Sequence, residues 1–192
     1  MNTTYIVCSY GGSGSWMLVK YLKNFGKAYH VHDRYPPTKL TYPNIKTERF
    51  SQNEIPSELL SNFKVIFIYK NPVNAIFSRF NSIYHLHNIQ SKEMEYKNIF
   101  QKNEDLFGIG EYYDNYMNKN DRNYQIICIK YETFFENIQK INKILDIPDI
   151  PTLYPIKKET NRKCKPDEYK HLMNIYSNLI KDMNETPPIV VN

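Results

Sequence analysis

The stretch Cys8-Ser9-Tyr10-Gly11-Gly12-Ser13-Gly14-Ser15-Trp16 decides how the rest of the chain is read. The short apolar run that leads into it, Tyr5–Ser9, reads as a buried strand ended by glycines. After it, Met17, Leu18, Tyr21, Leu22 and Phe25 recur at helical spacing. A helix is therefore predicted from Ser15 to Asn24, with Gly26 as its C-cap. A strand, a Gly/Ser turn and a helix together make an oxyanion trap. Backbone N–H groups converge on one point, and the helix N-terminus adds about half a positive charge. Gly11, Gly12 and Gly14 let the backbone close without Cβ clashes. Ser13 and Ser15 add hydroxyl donors. The nucleoside-triphosphate form, G-x-x-x-x-G-K-[ST], is not met, because no Lys-Ser or Lys-Thr follows Gly14. A plain tight turn asks for the same glycines, so the loop alone leaves both readings open.

Working outward, Val65–Tyr69 is the strongest strand, and Asn71-Pro72 starts a helix running to about His87. Further strands are predicted over Ala28–His32 and Tyr124–Lys130. Helices are expected near Pro56–Ser61 and over Gly110–Lys119, Tyr131–Leu145 and Asp167–Met183. Residues 33–53 carry Pro36, Pro37 and Pro43 and are predicted to be mostly loop. Pro187-Pro188 opens what reads as a loose tail from about 185. Strands alternating with helices argue for one α/β domain over residues 1–192. The expected form is a three-layer sandwich with a central parallel sheet and a P-loop-like phosphate-binding loop.

Bulk properties narrow the function classes. A chain of 192 residues is most simply one domain. Its 41% hydrophobic and 23% charged residues are ordinary for a globular chain, which argues against disorder. A net charge of +5 suits an anionic ligand. No block of five like charges marks a nucleic-acid tail, so nucleic acid is not an expected partner. Cys8, Cys128 and Cys164 have no metal-ligand spacing and read as reduced thiols of a cytoplasmic protein. Neither a signal peptide nor a membrane anchor is expected.

A second constellation is Tyr69-Lys70-Asn71-Pro72-Val73-Asn74-Ala75-Ile76-Phe77-Ser78-Arg79-Phe80. A cation at the strand end, Lys70, and a hydroxyl two helical turns along, Ser78, can face one phosphate if the chain bends at Asn71-Pro72. On these residues alone, a Pro-started helix with a solvated lysine at its mouth is the favoured reading.

With both motifs in view, the sequence resembles the sulfotransferases that use 3′-phosphoadenosine 5′-phosphosulfate. Tyr10–Trp16 resembles that family's Y-P-K-S-G-T-T-W loop, and Lys70–Ser78 resembles its R-N-P-x-D-x-x-x-S segment with the spacing kept. Lys46-Thr47-Glu48 resembles the family's K-T-H. Glu111–Lys119 followed by Ile126–Thr133 resembles its helix, strand and Y-E-D-L. Asn161-Arg162-Lys163-Cys164 is similar to its late R-K-G. The five matches span most of the chain in order.

The resemblance implies roles. Gly11, Gly12, Ser13, Gly14 and Ser15 would bind the 5′-phosphosulfate. Trp16 closes that motif one position early and is not assigned to adenine stacking. Lys70 and Ser78 would bind the 3′-phosphate, with Arg162 and Lys163 closing over it. Glu48 stands at the place of the family's base, and Lys46 is the candidate to supply charge near the transferred group. His30, His32 and Asp33, at the end of the second strand, form a rival site in which His32 could assist. Glu132 would start a helix and hold neighbouring loops.

Three departures stand out: Gly12 for the loop lysine, Lys70 for arginine, and Cys164 for glycine. Loss of one charge-assisted hydrogen bond costs about 1.5–3 kcal/mol, or roughly one to two orders of magnitude in rate. The implied activity is sulfuryl transfer to a hydroxyl or amine of a small molecule, sugar or peptide. The protein would be a monomer or homodimer and would need no metal. Two alternatives remain: a nucleotide-binding module without turnover on the same fold, and a P-loop small-molecule kinase.

Overall fold

A computed structural model describes residues 3–80, 100, 102–118, 121–157 and 164–192. The opening apolar run forms β1 (Thr4–Cys8), followed by helix α1 (Ser15–Leu22) and β2 (Lys27–Val31). Next come β3 (Thr41–Asn44), β4 (Arg49–Glu54), a 3-10 turn and β5 (Phe63–Tyr69). Then α2 (Pro72–Phe80), α3 (Ile109–Met117) and β6 (Ile126–Lys130) follow. The chain continues through α4 (Ile138–Leu145), α5 (Pro166–Ile175), α6 (Ser177–Glu185) and β7 (Ile189–Val191).

Five strands form one sheet in the order β2-β1-β5-β6-β7. The first four run parallel, and β7 pairs antiparallel with β6. The strands read as unbroken apolar runs because both faces are covered. On one face Tyr5, Val7, Ile66, Ile68, Ile127 and Ile129 pack with Leu18 and Leu22 of α1 and Ile141 and Leu145 of α4. On the other, Ile6, Cys8, Val65, Phe67, Tyr69 and Cys128 pack with Ile76 of α2 and Tyr112, Tyr113 and Tyr116 of α3. This second face is aromatic, with Phe67 and Tyr116 stacked at 4.4 Å between ring centroids. The protein is thus α/β with a mostly parallel sheet. Among the described residues no helix is long and apolar enough to cross a membrane.

Strand order sets where a ligand can go. From β1 the chain moves to β2 on one side, while β5 lies on the other. Connections leaving β1 and β5 therefore diverge and open a crevice at the carboxyl ends of the strands. The Tyr10–Ser15 loop and Lys70 both sit at that edge.

Several expectations need correction. Residues 33–53 are loop over 33–40 and 45–48 as expected, but they also hold an unexpected hairpin, in which β3 and β4 pair antiparallel with Pro43 opposite Phe50. A proline and polar side chains on a two-stranded ribbon hid the strand pattern. The stretch from 185 is not a loose tail. Ile189–Val191 forms the sheet edge, and the Asn192 side chain donates to the carbonyls of Tyr116 and Met117. The helix expected over 131–145 begins as 3-10 turns and becomes α-helical only at Ile138. The helix expected over 167–183 is two helices that meet at Tyr176. α1 ends at Leu22, capped by Lys23 rather than Gly26. The reach of α2 toward His87 lies outside the described residues.

Candidate functional site

The loop after β1 turns on three left-handed glycines, with φ of 80° at Gly11, 67° at Gly12 and 85° at Gly14. Close packing makes two of these irreplaceable. A Cβ on Gly12 would stand 2.4 Å from the Ala75 carbonyl oxygen, and one on Gly11 would stand 2.4 Å from Nη2 of Arg79. So the position where the resembling family carries lysine lies flat against the backbone of α2. A side chain there would have to displace that helix.

Hydroxyls fix the loop to the sheet. Ser9 Oγ accepts the Gly11 N–H at 3.2 Å and donates to Ser15 Oγ at 3.0 Å. Ser13 donates to the Ile68 carbonyl at 3.0 Å. The Tyr10 hydroxyl accepts the Lys70 N–H at 2.7 Å and donates to the Lys70 carbonyl. The β1 and β5 ends are therefore cross-linked by side chains. Helix α1 starts at Ser15 with no acidic residue in its first turn, so its free N–H groups keep their positive potential.

At the β5 end, Asn71 accepts the Asn74 N–H on its side-chain oxygen at 3.2 Å. Pro72 takes the first helical position, so the two residues together start α2. Glu132 accepts the Asn71 N–H at 2.9 Å, holding the neighbouring connection in place. Lys70 is 8% exposed, with Nζ 4.4 Å from the centre of the Tyr131 ring. Behind the loop lies Arg79, only 2% exposed. Its Nε and Nη1 have no hydrogen-bond partner among the described residues. Burial pulls the Arg79 pKa down to about 9, which still leaves it protonated at neutral pH.

The β2 end brings in a third group. Its last residues place His30 and His32 on the crevice side, and the β3–β4 turn delivers Glu48. The His32 N–H donates to the Glu48 carbonyl at 2.8 Å, and Arg49 pairs with Asp33 at 2.9 Å, which clamps the turn onto the strand end. Glu48 itself sits at φ 52°, in the left-handed region. Its carboxylate stands 3.8 Å from His30 Nδ1 and 3.7 Å from His32 Nε2. The other ring nitrogens are engaged: His32 Nδ1 with the Ser9 carbonyl and His30 Nε2 with Ser15 Oγ, both at 2.7 Å. Burial, then the neighbouring His30, push the His32 pKa down to about 3, so it is neutral at pH 7.

These three regions border one cavity of about 740 Å³, a volume suited to a nucleotide-sized ligand. Gly11, Gly12, Gly14, Ser15, Trp16, Lys70, Ser78, His30 and His32 all line it. Five expected site residues stand elsewhere or outside view. The Ser13 hydroxyl is spent on Ile68 and does not line the cavity. Lys46 is exposed on the hairpin turn and does not line it either. Arg162 and Lys163 lie outside the described residues. Glu48 reaches the cavity wall only through the two histidines.

Lys20 also lines the cavity, although the sequence motifs did not include it. Trp16, Lys20 and Asn24 fall four residues apart and share one side of α1 and its extension. That spacing was the available signal for Lys20. No signal announced Arg79, whose importance comes from burial alone. Nor did any announce Tyr131, which packs under Gly14 and against Lys70. Scans against protein-family models and searches of curated proteins and solved structures find no match to this chain.

Proposed function

We propose that this protein is a sulfotransferase using 3′-phosphoadenosine 5′-phosphosulfate, with a loop whose lysine is absent for steric reasons. One observation carries the reading. Two anion-binding elements predicted separately from sequence, the Gly11–Ser15 loop and the Lys70/Ser78 pair, line the same cavity at the topological switch point. The donor has two separated anionic ends, and this pairing offers one element for each. Loop amides and the start of α1 take the phosphosulfate. Lys70 and Ser78 take the 3′-phosphate.

Transfer then needs positioning, neutralisation of charge on the leaving phosphate, and removal of one proton from the acceptor. An acceptor oxygen attacks sulfur, the bond from sulfur to the bridging oxygen breaks, and the nucleotide leaves as the bisphosphate. Glu48 takes the acceptor proton by way of His30 or His32, which line the cavity where Glu48 does not. Charge on the leaving phosphate is met by Lys20 on the cavity wall and by the field of Arg79 behind the loop. Acceptors of this chemistry are hydroxyls or amines of small molecules, sugars or peptides.

A binding module without turnover is the second reading. The Gly12–Ala75 contact and the position of Lys46 favour it, since no lysine side chain belongs to the loop itself. Calorimetry with 3′-phosphoadenosine 5′-phosphate, beside adenosine triphosphate with magnesium, tests the nucleotide assignment. Tight binding of the bisphosphate alone is expected. Preference for the triphosphate would instead return the kinase reading. Transfer of labelled sulfate to a broad acceptor panel then separates the transferase from the module.

A further inference from the structure

Three side chains from two elements converge at the end of β2 in a way that proton transfer alone does not require. Donor atoms of His30, His32 and Glu48 all lie within 4.8 Å of one another. The hydrogen bond on the far side of His32 fixes its tautomer. A carbonyl only accepts, so the Nδ1 that faces the Ser9 carbonyl at 2.7 Å carries the proton. The Nε2 lone pair is then turned toward Glu48. At 3.7 Å the two atoms are too far apart for a hydrogen bond, and both are acceptors. A cation between them would be ligated by both.

The spacing fits an ion. Donors on a tetrahedral zinc, each about 2.0–2.2 Å from it, stand roughly 3.4 Å from one another. Here His30 Nδ1 stands 3.8 Å from Oε1 and His32 Nε2 3.7 Å from Oε2 of Glu48, with one donor atom from each residue inside 4.8 Å, so side-chain rotation must draw the three together on one ion. Outer contacts are of the kind that orient metal ligands. His32 is held by a backbone carbonyl and His30 by the Ser15 hydroxyl. The His30–Ser15 contact accommodates either tautomer, and the one with the proton on Nε2 turns the Nδ1 lone pair toward the carboxylate.

We propose that His30, His32 and Glu48 form a divalent transition-metal site with an open position toward the cavity. Two imidazoles and one carboxylate suit zinc better than magnesium or calcium, which prefer oxygen. Three protein ligands with a free position match a site that acts on a ligand rather than one that only braces the fold. The spacing of metal motifs in sequence gave no hint of it, because the third ligand arrives from a hairpin turn. An ion held here takes the carboxylate that the metal-free protein uses as a base. The site is accordingly tested by metal binding, with no nucleotide present.

The full-length chain, purified without a polyhistidine tag and stripped with a chelator, is titrated with zinc against a chromogenic competitor. Cobalt is then added to a second sample and its visible absorption recorded. One tight equivalent of zinc per chain is expected, with cobalt bands of a low-coordinate nitrogen and oxygen site. Glu48→Gln keeps the shape of the turn and should weaken zinc by about 100-fold, the upper end of what a disturbed metal site loses. His32→Ala should do the same if its melting curve shows it folded. His171→Ala, on α5, should change nothing. Substoichiometric zinc overturns the proposal. So does zinc that binds Glu48→Gln as tightly as the unaltered chain, or that is lost in His171→Ala. Because bisphosphate calorimetry on the stripped protein is a separate measurement, failure of either reading is visible without the other.

Discussion

The two strand ends that flank the crevice carry positive potential in different ways. After β1, the loop offers backbone amides and no charged side chain, with Gly11 and Gly12 against α2 and Gly14 against Tyr131. After β5, charge comes from side chains: Lys70 at the cavity wall and Arg79 sealed behind the loop. Packing explains the difference. A loop pressed onto the Ala75 carbonyl has no room for a lysine, so the cations stand on neighbouring elements.

The largest test of this contrast concerns neither end directly but the group between them. Glu48→Gln should lower sulfuryl transfer by about 10²–10⁴-fold, the usual weight of a general base. Bisphosphate affinity should stay within about twofold, read by calorimetry. Full activity would remove Glu48 from the mechanism and move His30 or His32 forward.

Next comes Gly12→Lys, which puts the missing lysine back. Left-handed backbone costs a side-chain-bearing residue about 1–2 kcal/mol, and overpacking adds about 1–3 kcal/mol. Urea denaturation should therefore show a loss of about 2–5 kcal/mol with no gain in transfer. An unchanged midpoint would mean that the loop does not press on α2.

Lys70→Ala should weaken the bisphosphate by about 10–100-fold, as expected for one charge-assisted contact. Calorimetry at fixed ionic strength measures it. An equal affinity would empty the β5 end of its assigned anion.

Arg79→Met probes the hidden cation. Replacing a buried charge by an apolar side chain is often neutral or stabilising, here by about 0–2 kcal/mol. Bisphosphate affinity should nonetheless fall a fewfold, because the field behind the loop is gone. Stability lost with affinity intact would make Arg79 purely structural. The smallest effect is expected for Lys46→Ala, whose turnover should stay within about twofold, since Lys46 does not line the cavity.

Much of the fold was legible because burial on both faces makes strands apolar throughout. Val65–Tyr69 and Tyr124–Lys130 could hardly be read otherwise, and β5 and β6 lie there. The β3–β4 hairpin was not legible, since a small ribbon with polar side chains leaves no apolar alternation to find. β7 is three residues long and follows two prolines, so local signals favoured a tail. Its strand character comes from pairing with β6. Within the site, Gly11, Gly14, Ser15, Lys70 and Ser78 were chosen from sequence and line the cavity. Ser13 was chosen for its hydroxyl, which the structure gives to Ile68.

Sequence by itself determined the elements that depend on near neighbours: the glycine turn after β1, the Asn-Pro start of α2, and the alternation of strand with helix. Each is set by local sterics and by an apolar pattern a few residues long. Only the tertiary structure decided which side chains share a space. Ala75 against Gly12, Arg79 under Gly11 and Glu48 between two histidines all join distant parts of the chain. Such contacts depend on how sheet and helices stack, and no short stretch of sequence carries that information.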